Sequence, residues 1–165
     1  MTGKPRTECG ILPHHAVWNT QRTKICVVFD ASAKQEVISL NTCLLKGPDY
    51  LPNICGVLLR FRRKRIPVSV DTERMYHQVK VKREDRSALR FLWRPPGSKR
   101  PPETFEMQVH VFGATSSPRV CMYALRRAAL DHQADYPGAL GRMSNIYVDN
   151  WLKSLDAIGE ARGAC

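Results

Sequence analysis

The sequence predicts a mixed fold in which short β-strands are combined with two amphipathic helices. Apolar and β-branched runs of about four to eight residues stand between turn-forming residues, which is typical of strands. Two other segments repeat apolar residues at the spacing of one helix face. With 165 residues, 43% of them hydrophobic, the chain is long enough for one domain with a buried core, or it is a piece of a larger protein.

The predicted strands are spread along the chain. They are Ile25–Phe29, Ile66–Val70, Ala88–Trp93 and Thr104–Val111. Residues 1–24 are polar and basic and are interrupted by Pro5 and Pro13, so little regular structure is expected before the first strand.

The first predicted helix is Pro52–Phe61, in which Ile54, Val57 and Phe61 fall on one face. Five of the six residues from 60 to 65, four arginines and one lysine, are basic, and this stretch overlaps the end of the helix. Cations suit the C-terminal end of a helix, and they would equally suit contact with a polyanion.

The second predicted helix begins at Ser117 and Pro118, which are favoured at the N-cap and the first helical position, and continues to about Ala129. The segment from Gly113 to Pro118 leaves an opening where backbone can approach a ligand closely. A simple helix cap is the alternative interpretation of this segment.

Residues 144–152 carry the most informative local pattern. Two apolar runs flank Asp149-Asn150, and these two residue types tolerate the positive φ of a tight turn, so a β-hairpin is predicted. A carboxylate at such a tip projects from the edge of the sheet. Taken alone, it is more often simply a solvated turn residue.

A second carboxylate stands in a matching context. Asp71 follows the predicted strand Ile66–Val70, and alone it suits a helix N-cap as well as a ligand site. Because Asp71 and Asp149 both stand at strand ends, together they suggest paired carboxylates that hold a divalent metal. Tyr76 follows on a predicted tight turn and is expected near whatever Asp71 holds.

The net charge indicates the class of partner. Lys and Arg number 26 against 15 Asp and Glu, which gives +11 and favours a polyanion, nucleic acid before membrane. No apolar run is long enough to span a membrane, and no apolar segment follows Met1. The chain is therefore expected to be intracellular, not secreted, with its scattered cysteines reduced.

The motifs, taken in order, resemble those of a reverse transcriptase, most closely the BEL/Pao class of LTR retrotransposon. The matching segments are LPHHAV (Leu12–Val17), VVFDASAK (Val27–Lys34), VDTERMYHQV (Val70–Val79), FGATSSP (Phe112–Pro118) and YVDN (Tyr147–Asn150). The resemblance covers nearly the whole chain.

The resemblance implies an α+β right-hand polymerase fold that is represented only in part. Fingers would comprise residues 12–64 and 79–111. The palm, with an antiparallel sheet packed on helices, would comprise residues 65–78 and 112–165. The thumb, connection and RNase H parts of the family are expected to be absent.

The resemblance also implies the site and its ligands. Asp71 and Asp149 would bind Mg²⁺ (or Mn²⁺) for two-metal transfer of a nucleotide from a dNTP to a primer 3′-hydroxyl, with Asn150 at the third catalytic position. Nucleotide binding would involve Tyr76 as the gate against a ribose 2′-hydroxyl, with Phe112, Gly113 and Cys26. The residues that would contact the RNA template or DNA primer are Ser117, Pro118, Tyr147, Arg22 and Lys24. The resemblance also implies other segments of a polyprotein as further partners.

Three departures from the family pattern predict impaired catalysis. Asn150 replaces the second Asp of the Tyr-x-Asp-Asp box, so one of three carboxylates is lost. Cys26 stands where the family usually has an Arg that grips the triphosphate, and a thiol makes no bidentate contact with phosphate. The chain also stops before the primer grip. The alternatives are a non-catalytic basic nucleic-acid-binding module and a non-functional remnant of a decayed element.

Overall fold

The computed structural model describes residues 10–19 and 24–163, and these residues form a mixed α and β fold in which the sheets are antiparallel. The strands are β1 (His14–Asn19), β2 (Lys24–Phe29), β3 (Ile66–Asp71), β4 (Arg90–Trp93), β5 (Glu103–Glu106), β6 (Ile146–Tyr147) and β7 (Asn150–Leu155). The α-helices are α1 (Leu40–Cys43), α2 (Ile54–Phe61), α3 (Ser117–Asp131) and α4 (Ala139–Met143). Single 3₁₀ segments occupy Met75–Gln78, Arg83–Leu89 and Ile158–Gly163.

The chain divides into two compact units, and each is built from two separate stretches of sequence. The first unit comprises Met1–Lys46 and Tyr76–Ser117, and the second comprises Gly47–Met75 and Pro118–Cys165. Residues 47–64, which the sequence grouped with the first part of the chain, lie in the second unit, because α2 packs on β7 and β6.

The first unit contains two antiparallel ribbons, β1–β2 and β4–β5, around a small apolar core. The buried members of this core come from both of the unit's sequence stretches. They are Leu12, Ala31, Leu40, Leu89, Val111 and Ala114. The backbone also joins the two stretches, since the N–H of Leu12 donates to the carbonyl of Arg90 at 2.7 Å.

The second unit is organised around the sheet β3-β7-β6, with β7 in the centre. Helix α2 begins after Asn53, whose side chain accepts from the N–H of Gly56, and the fully buried Val57 lies in the helix. Ser154 of β7 anchors the end of α2. Its buried Oγ donates to the carbonyl of Arg60 at 3.0 Å and accepts from the N–H of Lys64 at 3.2 Å.

The structure confirms β2, β3, the two longer helices and the hairpin, and it corrects two other predictions. Residues 14–19 form β1, although little regular structure was expected before Ile25, because β1 pairs along its length with β2. The strand predicted for Thr104–Val111 ends at Glu106. The chain beyond it turns to a new partner, since the N–H of Val81 donates to Gln108 and that of His110 donates to Val79.

Within residues 10–19 and 24–163, none of the helices combines the length and the apolarity that crossing a bilayer would require.

Candidate active site

The pairing of β3 with β7 brings the two predicted catalytic aspartates to the same end of one sheet. Asp71 is the last residue of β3 and stands opposite Asn150, the first residue of β7. The carbonyl of Asp149 accepts a hydrogen bond from the N–H of Thr72 at 2.7 Å, so the ladder continues one step beyond the strands. Asp71 is exposed and Asp149 is half-buried, and both lie in the second unit.

The hairpin turn lies one residue earlier than the sequence predicted. Tyr147 pairs with Asn150, so the two-residue loop is Val148-Asp149 and Asn150 belongs to the strand. The residue with positive φ is Val148, at 58°, instead of Asp149 or Asn150. The shift occurs because Asn150 is held in register by its pairing with Asp71 on one side and Tyr147 on the other.

A β-branched residue at positive φ is a genuine backbone outlier, because its side chain crowds the neighbouring peptide. Strain of this kind costs about 1–3 kcal/mol and is commonly found at functional sites. The strained loop residue directly precedes Asp149 in this protein. The turn that carries the candidate catalytic carboxylate is therefore held in shape by its surroundings.

Replacing Val148 with Gly is expected to stabilise the protein by about 1 kcal/mol, since the relief of strain exceeds the extra chain entropy of glycine. Urea unfolding measures this change as a higher midpoint. Val68→Gly is the matched control: Val68 is also half-buried but lies within β3, where glycine should destabilise. Equal destabilisation by both variants would contradict strain at Val148.

Asn150 is in direct contact with the carboxylate that it follows. Its Nδ2 donates a hydrogen bond to Asp149 Oδ1 at 2.9 Å. The amide therefore adds no negative charge to the site and also engages one oxygen of Asp149. A carboxylate at position 150 would add charge and could not donate this bond when ionised.

The two aspartates are of the residue type that binds magnesium, because their carboxylate oxygens are ligands that Mg²⁺ prefers. Mg²⁺ in proteins is commonly held by one or two carboxylates together with water and substrate phosphates, and two aspartates are located at this end of the sheet. Among the residues that the structure describes, no group of three or more His, Cys, Asp or Glu is placed to hold a metal. Asp71 and Asp149 are the residues that would hold the ion.

Three of the four predicted nucleotide-binding residues, Tyr76, Phe112 and Gly113, lie together in the first unit. The rings of Tyr76 and Phe112 meet edge to face, with 5.6 Å between their centroids and an angle of 75° between their planes. Phe112 is 66% exposed, so it remains accessible. Gly113 follows with φ of 95°, and a Cβ there would lie 3.0 Å from the carbonyl oxygen of Phe29, so this position requires glycine.

The other predicted contact residues are distributed over both units. Ser117 is fully buried, and its Oγ donates to the carbonyl of Val111 at 2.8 Å. His110 Nδ1 lies 3.3 Å from the same Oγ, and burial lowers the pKa of His110, which favours the neutral imidazole. The hydroxyl of Ser117 is thus held by contacts with Val111 and His110, which both belong to the first unit.

The remaining predicted residues have simpler surroundings. Cys26 is exposed on β2 and pairs with Val17, while Tyr147 is half-buried in β6. Pro118 follows Ser117 in the first turn of α3. Lys24 is the first residue of β2, and Arg22 lies outside the described residues.

The basic run after α2 is partly committed to structure within the second unit. Arg60 donates to Asn145 Oδ1 at 2.8 Å and to the carbonyl of Ser144, which fixes it against the start of the hairpin. Lys64 pairs with Asp156, and this hydrogen bond raises the pKa of Lys64.

The rest of that basic run is open to solvent. In the part of the chain that the structure describes, Arg62, Arg63 and Arg65 are exposed and form no ion pair with a carboxylate. These three cations are available to a polyanion.

Two further features were not predicted from the sequence. A cavity of about 480 Å³ in the first unit is lined by both polar and apolar residues, including Asp30, Ser39 and Thr104, and none of the predicted site residues lines it. Asn41 bonds to Gly113 and Thr115, which are 72 and 74 residues away along the chain. No local pattern marks a contact of that range.

No protein-family model matches the chain, and no curated protein matches it at a significant level.

Proposed function

We propose that this chain is a fingers-and-palm fragment of a BEL/Pao-type reverse transcriptase, an RNA-directed DNA polymerase whose catalysis is impaired. The observation that carries the proposal is the location of Asp71 and Asp149 at the same end of one antiparallel sheet, with Asp149 in a strained hairpin loop. Under this proposal the chain has a partial right-hand polymerase fold. Residues 12–64 and 79–111 would be fingers and residues 65–78 and 112–165 would be palm, so most of the fingers would lie in the first unit and most of the palm in the second.

The second unit would hold the reacting groups. Asp71 and Asp149 would bind Mg²⁺, which when bound would polarise the phosphate oxygens and promote ionisation of the primer 3′-hydroxyl. Asn150 would weaken this site, because it contributes an amide instead of a charge and engages Asp149 through its hydrogen bond.

The first unit would select the nucleotide. Tyr76, packed against Phe112, would exclude a ribose 2′-hydroxyl, and Gly113 would allow the backbone to approach the nucleotide. Cys26 would leave the triphosphate without the bidentate contact that an arginine provides.

The nucleic acid would be held largely through its phosphates. The net charge of +11 and the exposed Arg62, Arg63 and Arg65 support this role. Each phosphate contact releases counterions, so binding of a primer–template duplex should weaken steeply as salt rises.

Primer extension on an oligo(dT)-primed RNA template with Mg²⁺ tests the proposal. The Asn150→Asp variant is expected to extend the primer about 10–100-fold faster than the unaltered chain, because a residue that contacts a metal ligand typically changes activity by this factor. Adding Cys26→Arg to this variant should lower the KM for the dNTP, since the arginine would restore a charge-assisted phosphate contact.

The matched control is Asn145→Asp. It adds the same charge in the same unit, at a residue whose Oδ1 accepts from Arg60, and the new carboxylate can still accept that bond. A gain with Asn145→Asp equal to that with Asn150→Asp would refute the assignment of position 150. Absence of extension by every variant, the Cys26→Arg combination included, would refute polymerase activity for this chain.

A non-catalytic nucleic-acid-binding module is the second candidate, and the exposed arginines after α2 favour it specifically. This function predicts salt-dependent binding that is unchanged by Asp71→Asn and Asp149→Asn but weakened by Ala substitutions at Arg62, Arg63 and Arg65. Binding of this kind without extension would distinguish it from the polymerase.

A further inference from the structure

Asn41 connects three segments of the first unit through its side chain. Its Nδ2 donates to Ser32 Oγ and to the carbonyl oxygen of Gly113, each at 3.0 Å. Its Oδ1 accepts from the N–H of Thr115 at 2.8 Å. One half-buried amide therefore contacts two backbone groups of the loop that follows Phe112.

The chemistry of these partners fixes the orientation of the amide. A carbonyl can only accept and a backbone N–H can only donate, so exchanging Oδ1 and Nδ2 would break both contacts with the loop. The backbone of Asn41 is fixed as well, because its N–H donates to the carbonyl of Ala31 at 2.9 Å. The side chain is therefore a rigid support for the loop.

The loop itself can follow its path only because of Gly113. The backbone has φ of 95° there, and Phe29 leaves no room for a side chain. At the other end of the loop, Ser117 Oγ holds the carbonyl of Val111 at 2.8 Å. Side chains thus hold the loop at both ends, and Asn41 provides the support at Gly113 and Thr115.

The ring of Phe112 extends this support to Tyr76. Phe112 immediately precedes Gly113, and its ring meets that of Tyr76 at 5.6 Å and 75°. An edge-to-face contact depends on both separation and angle. A change in the backbone at Gly113 would therefore alter the surface that Tyr76 packs against.

We propose that Asn41 is a positioning residue for sugar selection: by fixing the backbone at Gly113 and Thr115 it holds Phe112, and through Phe112 the ring of Tyr76, in the geometry that discriminates deoxyribonucleotides from ribonucleotides. The selection step rests on the proposed polymerase function. The support of the loop by Asn41 does not, so the two parts have separate tests.

Amide hydrogen exchange tests the support without any nucleotide. In Asn41→Ala the N–H of Thr115 should exchange about fivefold to tenfold faster, which corresponds to the loss of one typical hydrogen bond. Asn41→Asp keeps an acceptor for this N–H and should leave its exchange nearly unchanged. Ser32→Ala is the control, because it removes a partner of Asn41 outside the loop. Unchanged Thr115 exchange in Asn41→Ala would overturn the support.

Formation of a stable complex with template, a chain-terminated primer and the next nucleotide tests the selection. No bond is made in this assay, so Asn150 does not limit it chemically. The preference for the dNTP over the matching rNTP should fall about tenfold in Asn41→Asp, which loses the donor to Gly113, since small displacements of positioning groups have effects of this size or larger.

The outcomes of the two experiments separate the proposals. Loss of preference in Asn41→Asp but not in Ser32→Ala supports the positioning role, and a preference equal to that of the unaltered chain overturns it. If the unaltered chain forms no complex with either nucleotide, the proposed function and the selection role both fail, and the exchange result alone decides the support. If Asn41→Ala does not fold, Asn41→Asp still decides the selection.

Discussion

Replacing Asp149 with Asn in the Asn150→Asp variant is expected to lower Mg²⁺-dependent primer extension by about 10³-fold, since the polarising effect of a bound metal is worth several kcal/mol and each 1.4 kcal/mol is tenfold in rate. The more active variant is the appropriate background because it leaves the most activity to lose. Asn has nearly the shape of Asp, so β7 and its pairing with β3 should persist. Single-nucleotide incorporation on the RNA template measures the loss.

Asp135→Asn in the same background is the matched control. Asp135 is an exposed carboxylate of the second unit, 3.9 Å from His132 and outside the sheet. Its substitution removes the same charge and should leave the rate of nucleotide incorporation within about twofold of the background variant's rate. Exposed ion pairs such as this one contribute little free energy. A comparable loss in both variants would mean that net charge, and not a ligand position, governs the rate.

The largest effect on stability is expected at Leu12. This residue is 3% exposed and lies in the core of the first unit with Leu40, Leu89 and Val111. Leu12→Ala should lower the free energy of unfolding by about 3 kcal/mol, because it removes buried methyl groups and leaves a cavity. Urea unfolding monitored by far-UV circular dichroism measures this change as a lower midpoint.

Leu45 offers a control of the same residue type in the same unit. It is 90% exposed, so Leu45→Ala should change stability by no more than about 0.5 kcal/mol. If Leu12→Ala were as mild as Leu45→Ala, the cluster around Leu12 would not be the core of the unit.

Elements with strong local patterns were predictable from the sequence. Each of these patterns can be recognised from a few neighbouring residues. They are the apolar spacing of α2, the Ser-Pro start of α3 and the apolar runs of β2 and β3. The same holds for Asp71, which the sequence placed at a strand end because an apolar run stops there. The α+β class of the fold follows from these elements.

Other features depend on residues that are distant in sequence. β1 exists as the partner of β2, and the chain beyond Glu106 leaves β4 to pair with residues 79–81. The hairpin turn is shifted because Asn150 pairs with Asp71. Local turn propensities predict the turn at Asp149-Asn150. They do not predict a positive φ at Val148, because β-branched residues rarely adopt it. The chemical roles of Asp71, Asp149 and Tyr76 remain predictions.

The interleaving of the two units has a consequence for folding during synthesis. β3 cannot form its ladder until β7 has left the ribosome, and at about 5–20 residues per second the addition of residues 72–150 takes several seconds. During this interval β3 presents an unpaired edge that can bind other chains. The nascent protein should therefore depend on chaperones more than a chain of this length with local pairing, and ribosome-bound lengths that end before Asn150 should be the most prone to aggregate.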